Sequence, residues 1–115
     1  MNDGKKYDKG KPRLSLLPEN ALMAVMESLE HGASKYGDEN WRKVEGLQTR
    51  YLDSAFRHIM ADRTGEQIDE DSDCWHLANA ISSLLFKLED RILVNQKSLL
   101  TKFPTVKLGG ISKQE

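Results

Sequence analysis

Cysteine is nearly missing: the single Cys74 in 115 residues excludes an intrachain disulfide and suits a reducing compartment. It precedes Trp75 where a helix should begin, and reads as an inert, partly buried thiol rather than a nucleophile. Aromatics supply only 7% of the chain, and no apolar run approaches the roughly 20 residues that span a bilayer. The first residues lack the apolar core of a signal peptide, so the expected location is the cytoplasm. A formal net charge of -1 gives no general pull toward nucleic acid or membrane. Basic residues are not interleaved with aromatics, no glycine-rich loop ends in Gly-Lys-Ser/Thr, and no serine lies in a nucleophile elbow.

What the chain does hold is charge unevenly placed. Residues 1–13 carry Lys5, Lys6, Lys9, Lys11 and Arg13 against Asp3 and Asp8, while residues 62–73 set Asp62, Glu66, Asp69, Glu70, Asp71 and Asp73 against Arg63. A chain of this size is one domain with a modest core. Its divisions are a basic arm over 1–17, a helical core over 18–95 and a C-terminal arm over 96–115. The expected fold is all-α: three main helices with an extended N-terminal arm, completed by self-association.

Periodicity places the helices. Leu22, Val25, Met26, Leu29, Ala33 and Tyr36 recur at three-and-four spacing, predicting a helix from Pro18 to Tyr36 that Gly37 stops in a left-handed conformation. Leu14, Leu16 and Leu17 ahead of it are expected to lie against the core. A second helix should run from Thr49 to Thr64, burying Leu52, Ala55, Phe56, Ile59 and Met60. After a short acidic loop, Gly65 to Ser72, a third should be capped by Ser72 or Asp73 and continue to Asn95. Its buried stripe is Leu77, Ile81, Leu84, Leu85, Leu88 and Ile92. On another face His76, Asn79 and Ser83 form a polar stripe around Ala80, leaving room for a ligand or a second subunit. The tail's Leu99, Leu100, Phe103, Val106 and Leu108 suit docking on a second chain.

The short loop makes the second and third helices antiparallel neighbours, so His58 and Asp62 approach Asp73 and His76 with Glu66 and Asp69 above them. Oxygen ligands of this kind suit Mg²⁺ or Mn²⁺, which join carboxylates to substrate phosphates. Two histidines with acids equally hold Zn²⁺ or Mn²⁺, although no spacing matches a standard zinc motif. The basic arm and the KYGDENWRK loop can neutralise phosphate and stack on a base; Trp41 there either plugs the core or stacks on a ligand. Bland readings stand beside these: acids before a helix are favoured by its dipole, and His58 with Asp62 is also an ordinary four-apart pair.

The motifs YDKGKPRLSLLPENAL, HGASKYGDENWRK, RHIMADRTGEQID and SDCWHLANAISSLLF, in this order over about residues 5 to 89, resemble the phage and prophage family of the dATP/dGTP diphosphohydrolase N-terminal domain. That family is grouped with the MazG-like, all-α pyrophosphohydrolases, which cleave a dNTP to dNMP and pyrophosphate with Mg²⁺ or Mn²⁺. The resemblance marks Lys11, Arg13, Lys35, Tyr36, Asn40, Trp41, Arg57, His58, Glu66, Asp69 and His76, and implies a helical, oligomeric enzyme. MazG-like enzymes carry Glu-x-x-Glu on one helix and Glu-x-x-Asp on the next. Here Glu27-x-x-Glu30 lies on the first helix, mostly opposite its apolar stripe, and the third helix offers Asp73-x-x-His76 instead.

The leading expectation is a metal-dependent purine (deoxy)nucleoside triphosphate pyrophosphohydrolase. Its catalytic set is His58, Glu66, Asp69 and His76, with metal ligands Asp62, Glu66, Asp69 and Asp73. Substrate contacts are Lys11, Arg13, Lys35, Tyr36, Asn40, Trp41, Arg57 and Asn79. The expected partners are a nucleotide and further copies of the chain, with no membrane and no direct nucleic acid. The alternative is a phage protein that sequesters a host signalling nucleotide without hydrolysis, and a third is a structural adaptor that uses His76, Asn79 and Ser83 as an oligomer contact.

Overall fold

The computed structural model describes residues 4–102. They form three main helices, α1 (Glu19–Tyr36), α2 (Leu47–Arg63) and α3 (His76–Lys102), with a two-stranded hairpin, β1 (Ile68–Asp69) and β2 (Cys74–Trp75), between the last two. The all-α class expected from periodicity is borne out. Single 3₁₀ turns occur at Leu14–Leu16 and Asn40–Lys43.

Local chemistry accounts for the boundaries. Pro18 precedes α1 as its cap residue, in keeping with a ring that lacks the N–H and fixes φ. Gly37 ends α1 with φ 99° and ψ 151°, so it is extended at positive φ rather than left-handed helical, and its N–H still reaches the Ala33 carbonyl. Helix α2 begins two residues before the expected Thr49, because Gly46 takes the left-handed conformation (φ 70°) and turns the chain directly into Leu47. Helix α3 passes Asn95 to Lys102, since nothing from 96 to 102 breaks a helix and the first breaker in the sequence is Pro104. The expected tail docking of Phe103, Val106 and Leu108 lies outside the described residues.

The acidic loop is more ordered than expected. Ile68 pairs with Trp75 and Asp69 with Cys74, and the turn closes through the Asp73 N–H to the Asp69 carbonyl at 2.7 Å. Asp73 sits at φ 59°, which a short polar side chain tolerates. Neither Ser72 nor Asp73 caps α3: Ser72 Oγ accepts from the Cys74 N–H within the turn, and the helix starts only at His76.

Helices α2 and α3 are antiparallel, as three contacts in falling register show. Gln48 meets Lys87 and Asp90, Ser54 meets Ser83, and His58 meets His76. Helix α1 lies across α3 through Ser28 and Ser82.

The face of α3 that turns inward corrects the sequence reading. Its buried residues are His76, Ala78, Ala80, Ser82 and Ser83, whereas Leu77, Ile81, Leu84, Leu85 and Leu88 are exposed. On α2 Ala55 is buried while Phe56, Ile59 and Met60 are exposed; on α1 Val25 and Ser28 are buried while Leu22 and Met26 are exposed. Leu14, Leu16 and Leu17 are exposed too, not laid on the core. Small side chains let the three helices approach and exchange side-chain hydrogen bonds, which turns many large apolar residues outward.

Candidate functional site

A cavity of about 760 Å³ opens between α1, the 3₁₀ turn at Asn40–Lys43, α2 and α3. Helix α1 contributes Ser28, Glu30, His31, Lys35 and Tyr36; the following loop contributes Asp38, Asn40 and Trp41. Helix α2 adds Tyr51, Ser54, Arg57 and His58, the hairpin adds Asp69, Asp71 and Ser72, and α3 adds Asn79, Ser82, Ser83 and Phe86.

The floor is one hydrogen-bonded chain. Asn79 Nδ2 donates to Asp69 Oδ2 at 3.1 Å and to Ser72 Oγ at 3.0 Å. Its Oδ1 accepts from Ser28 Oγ at 2.6 Å, and Ser28 accepts from Ser82 at 3.0 Å. The Asp69 carboxylate also accepts from Ser72 Oγ and from the Asp71 N–H. An aspartate on a two-residue strand is thereby tied to two helices. Each such bond contributes on the order of 1 kcal/mol, and more where the acceptor is charged.

Beside Asp69 the two histidines meet. His58 Nδ1 and His76 Nδ1 are 2.8 Å apart, and one atom from each of His58, Asp69 and His76 falls within a 4.8 Å group. His76 is buried, and its Nε2 has no hydrogen-bond partner, with Glu66 Oε1 3.4 Å away. Burial lowers the His58 pKa from the usual 6.5; the Asp69 carboxylate opposes this, and His76 and Arg57 reinforce it. Burial also raises the Tyr51 hydroxyl, against the pull of Arg50.

An aromatic group forms one wall. Trp41 stacks on Phe86 with centroids 4.8 Å apart and planes at 12°, and Tyr51 meets the same ring edge-on at 5.2 Å. The Arg42 guanidinium lies over Trp41 at 4.3 Å and pairs with Glu39. This half-buried packing gives Trp41 the plugging role, while Tyr36, with Lys35 Nζ 5.1 Å from its ring centroid, is exposed at the cavity.

Of the residues named from the sequence, Lys35, Tyr36, Asn40, Trp41, Arg57, His58, Asp69 and Asn79 line this cavity. Lys11 and Arg13 are exposed and do not line it. Asp62, Glu66 and Asp73 do not join Asp69 in a metal-sized group among the described residues. Asp73 is exposed and takes part in the hairpin turn through its backbone, and Glu66 Oε1 lies 3.4 Å from His76 Nε2. Sequence reading missed Ser28, Ser54 and Ser82, which supply interhelical bonds, as well as Tyr51 and Phe86 on the aromatic wall. For Ser28 the signal was its place three residues after Val25, at the spacing of the helix's apolar stripe.

Fold and site together define a small all-α domain whose polar, histidine-bearing pocket lies where three helices converge. The chain belongs to the family described as dATP/dGTP diphosphohydrolase, N-terminal, whose model matches residues 1–98, and the resemblance drawn from the four motifs is borne out. It is similar to a protein of Salmonella phage PMBT28 named dATP/dGTP diphosphohydrolase, with 35% identity over 85 residues, covering 72% of this chain and 28% of that protein. The chain thus spans less than a third of that relative's length. No solved structure matches it. Among the described residues, no helix is long and apolar enough to cross a membrane.

Proposed function

We propose that the chain is a purine (deoxy)nucleoside triphosphate pyrophosphohydrolase that works with Mg²⁺ or Mn²⁺. The observation that carries this reading is the cavity itself. Its 760 Å³ suits a nucleotide, and it sets Lys35 and Arg57 beside a floor of Asp69, Ser72 and Asn79. The name of the phage relative, read as a substrate class, agrees with it.

In this reading Lys35 and Arg57 neutralise the phosphates, and Tyr36 offers an exposed ring to the base. Water attacks the α-phosphorus, the new O–P bond forms as the bond to the β-phosphate's bridging oxygen breaks, and the water's proton leaves to solvent. The products are the nucleoside monophosphate and pyrophosphate. His58, Asp69 and His76 fit a divalent ion, since one ligand atom from each lies within a 4.8 Å group. Such an ion supplies charge stabilisation to the phosphate oxygens. The working form is a homo-oligomer in which the exposed leucine face of α3 is covered by another copy.

The test is incubation of the purified chain with each dNTP and Mg²⁺ or Mn²⁺, following pyrophosphate and monophosphate. Equal amounts of both products from dATP or dGTP are expected, with turnover lower by about 10- to 100-fold in Arg57→Ala. Absence of pyrophosphate from every dNTP would overturn the reading.

A further inference from the structure

Two imidazole nitrogens 2.8 Å apart share one line of approach, and only one proton can lie between them. His76 is the better-defined partner. It is 6% exposed, and among the described residues the acid placed against its Nε2 is Glu66 at 3.4 Å. A carboxylate on that side favours the tautomer with the proton on Nε2, leaving Nδ1 as a lone pair directed at His58. His58 is then the donor when no ligand is present. Moving its proton to Nε2 frees a second lone pair that faces the first across 2.8 Å, with ring centroids 5.1 Å apart, so a turn of either ring brings both onto one ion.

The separation also suits a shared ion. With metal–nitrogen bonds of about 2.0–2.1 Å, two donors at right angles lie about 2.9 Å apart. Asp69 completes the group within 4.8 Å. Three bonds from Asn79, Ser72 and the Asp71 N–H fix its carboxylate, and they leave about one of its roughly four acceptor directions open. Two imidazoles and one carboxylate form a donor set for a borderline transition metal, whereas Mg²⁺ takes oxygen donors and keeps its waters.

We infer that His58 Nδ1, His76 Nδ1 and Asp69 bind one transition-metal ion of the Mn²⁺, Co²⁺ or Zn²⁺ class in preference to Mg²⁺, with Glu66 as a positioning residue behind His76. The inference deepens the proposed function and rests on it for the ion's role in hydrolysis; the binding itself does not need hydrolysis. It moves Glu66 out of the metal's own ligands, and it leaves Asp62 and Asp73 with no part in holding the ion.

The experiment uses the full chain stripped with EDTA and titrated with Co²⁺, read by visible absorption, and with Mn²⁺, Zn²⁺ and Mg²⁺, read by calorimetry. One Co²⁺ per chain is expected, with Mg²⁺ at least 100-fold weaker. His76→Asn and His58→Asn should each lose at least 100-fold in Co²⁺ affinity. His58 is the less buried of the two, so its variant retains helical circular dichroism even if His76→Asn does not fold. Glu66→Gln should keep the Co²⁺ spectrum but bind about 10- to 100-fold more weakly, and Asp62→Asn and Asp73→Asn should bind as the wild type does. Mg²⁺ binding as tight as Co²⁺, undiminished Co²⁺ binding in folded His58→Asn, or loss of binding in folded Asp62→Asn would overturn the inference. Co²⁺ binding as described without pyrophosphate from any dNTP would defeat the hydrolase reading and leave this site standing. Full-rate hydrolysis with Mg²⁺ in His58→Asn would do the reverse.

Discussion

Burial keeps His58 neutral to lower pH than a free histidine, although Asp69 pulls the other way. The sign for stability follows. In the unfolded chain His58 takes up its proton near 6.5, whereas the folded chain resists it, so the neutral form's contribution is complete above that value and is lost as pH falls toward the lowered folded pKa. For metal-free protein, the thermal midpoint of the wild type relative to His58→Gln should therefore fall as the buffer is taken below about pH 6.5. A difference that stays constant from about pH 7.5 to about 5.5 would contradict the burial argument. At Asn79 the amide serves Asp69, Ser72 and Ser28 at once, and no smaller side chain replaces it. Asn79→Ala should cost about 2 kcal/mol, since it leaves Ser28 and the Asp69 carboxylate short of partners. At roughly 4–8 °C per kcal/mol for a domain near this size, a drop of about 10 °C in calorimetry is the expected reading.

At the scale of elements, α3 decides the architecture through its smallest residues. Ala80 is 2% exposed and Ala78 3%, so the helices meet where side chains are nearly absent. Ala80→Leu should force them apart and cost roughly 1–3 kcal/mol, seen as a lower urea midpoint. The neighbouring Ile81 is exposed, and Ile81→Leu should leave that midpoint nearly unchanged. The entry to α2 offers a second check. Gly46 at φ 70° has only the Arg50 side chain near an added Cβ, at 3.8 Å, so Gly46→Ala should cost about 1 kcal/mol from backbone conformation alone. The three helices were legible because apolar spacing of three and four survives whichever side faces inward. Which stripe turned inward was not, because hydrophobicity ranks Leu84 and Leu88 above Ala80 and Ser82 regardless of what other surface is present to cover them. The hairpin was invisible for a different reason: two pairs of residues carry too little pattern to register.

Among the described residues, many large apolar side chains stand outside. Leu77, Ile81, Leu84, Leu85 and Leu88 of α3 stand exposed with Phe56 and Met60 of α2. The Cα radius of gyration is 17.9 Å, against about 13 Å for a compact domain of roughly 100 residues. A second copy placed on this face would bury what one chain cannot. Light scattering should therefore find an oligomer, and Leu84→Glu with Leu88→Glu should shift it toward monomer; a wild type that is monomeric at high concentration would sink this expectation.

The amino-acid order alone determined the helical class, the approximate helix limits, the family and the grouping of His58 and His76 near acids. All of these depend on residues close along the chain or on motifs that travel with it. Tertiary structure decided the rest: that Asp69 rather than Asp62 or Asp73 stands with the two histidines, that Trp41 packs on Phe86, and that Leu77, Leu84, Leu85 and Leu88 of α3 face outward. These outcomes turn on how closely two backbones approach. That distance is set by small side chains and hydrogen bonds between residues such as Ser28 and Ser82, 54 positions apart, for which no local spacing in the chain gives a signal.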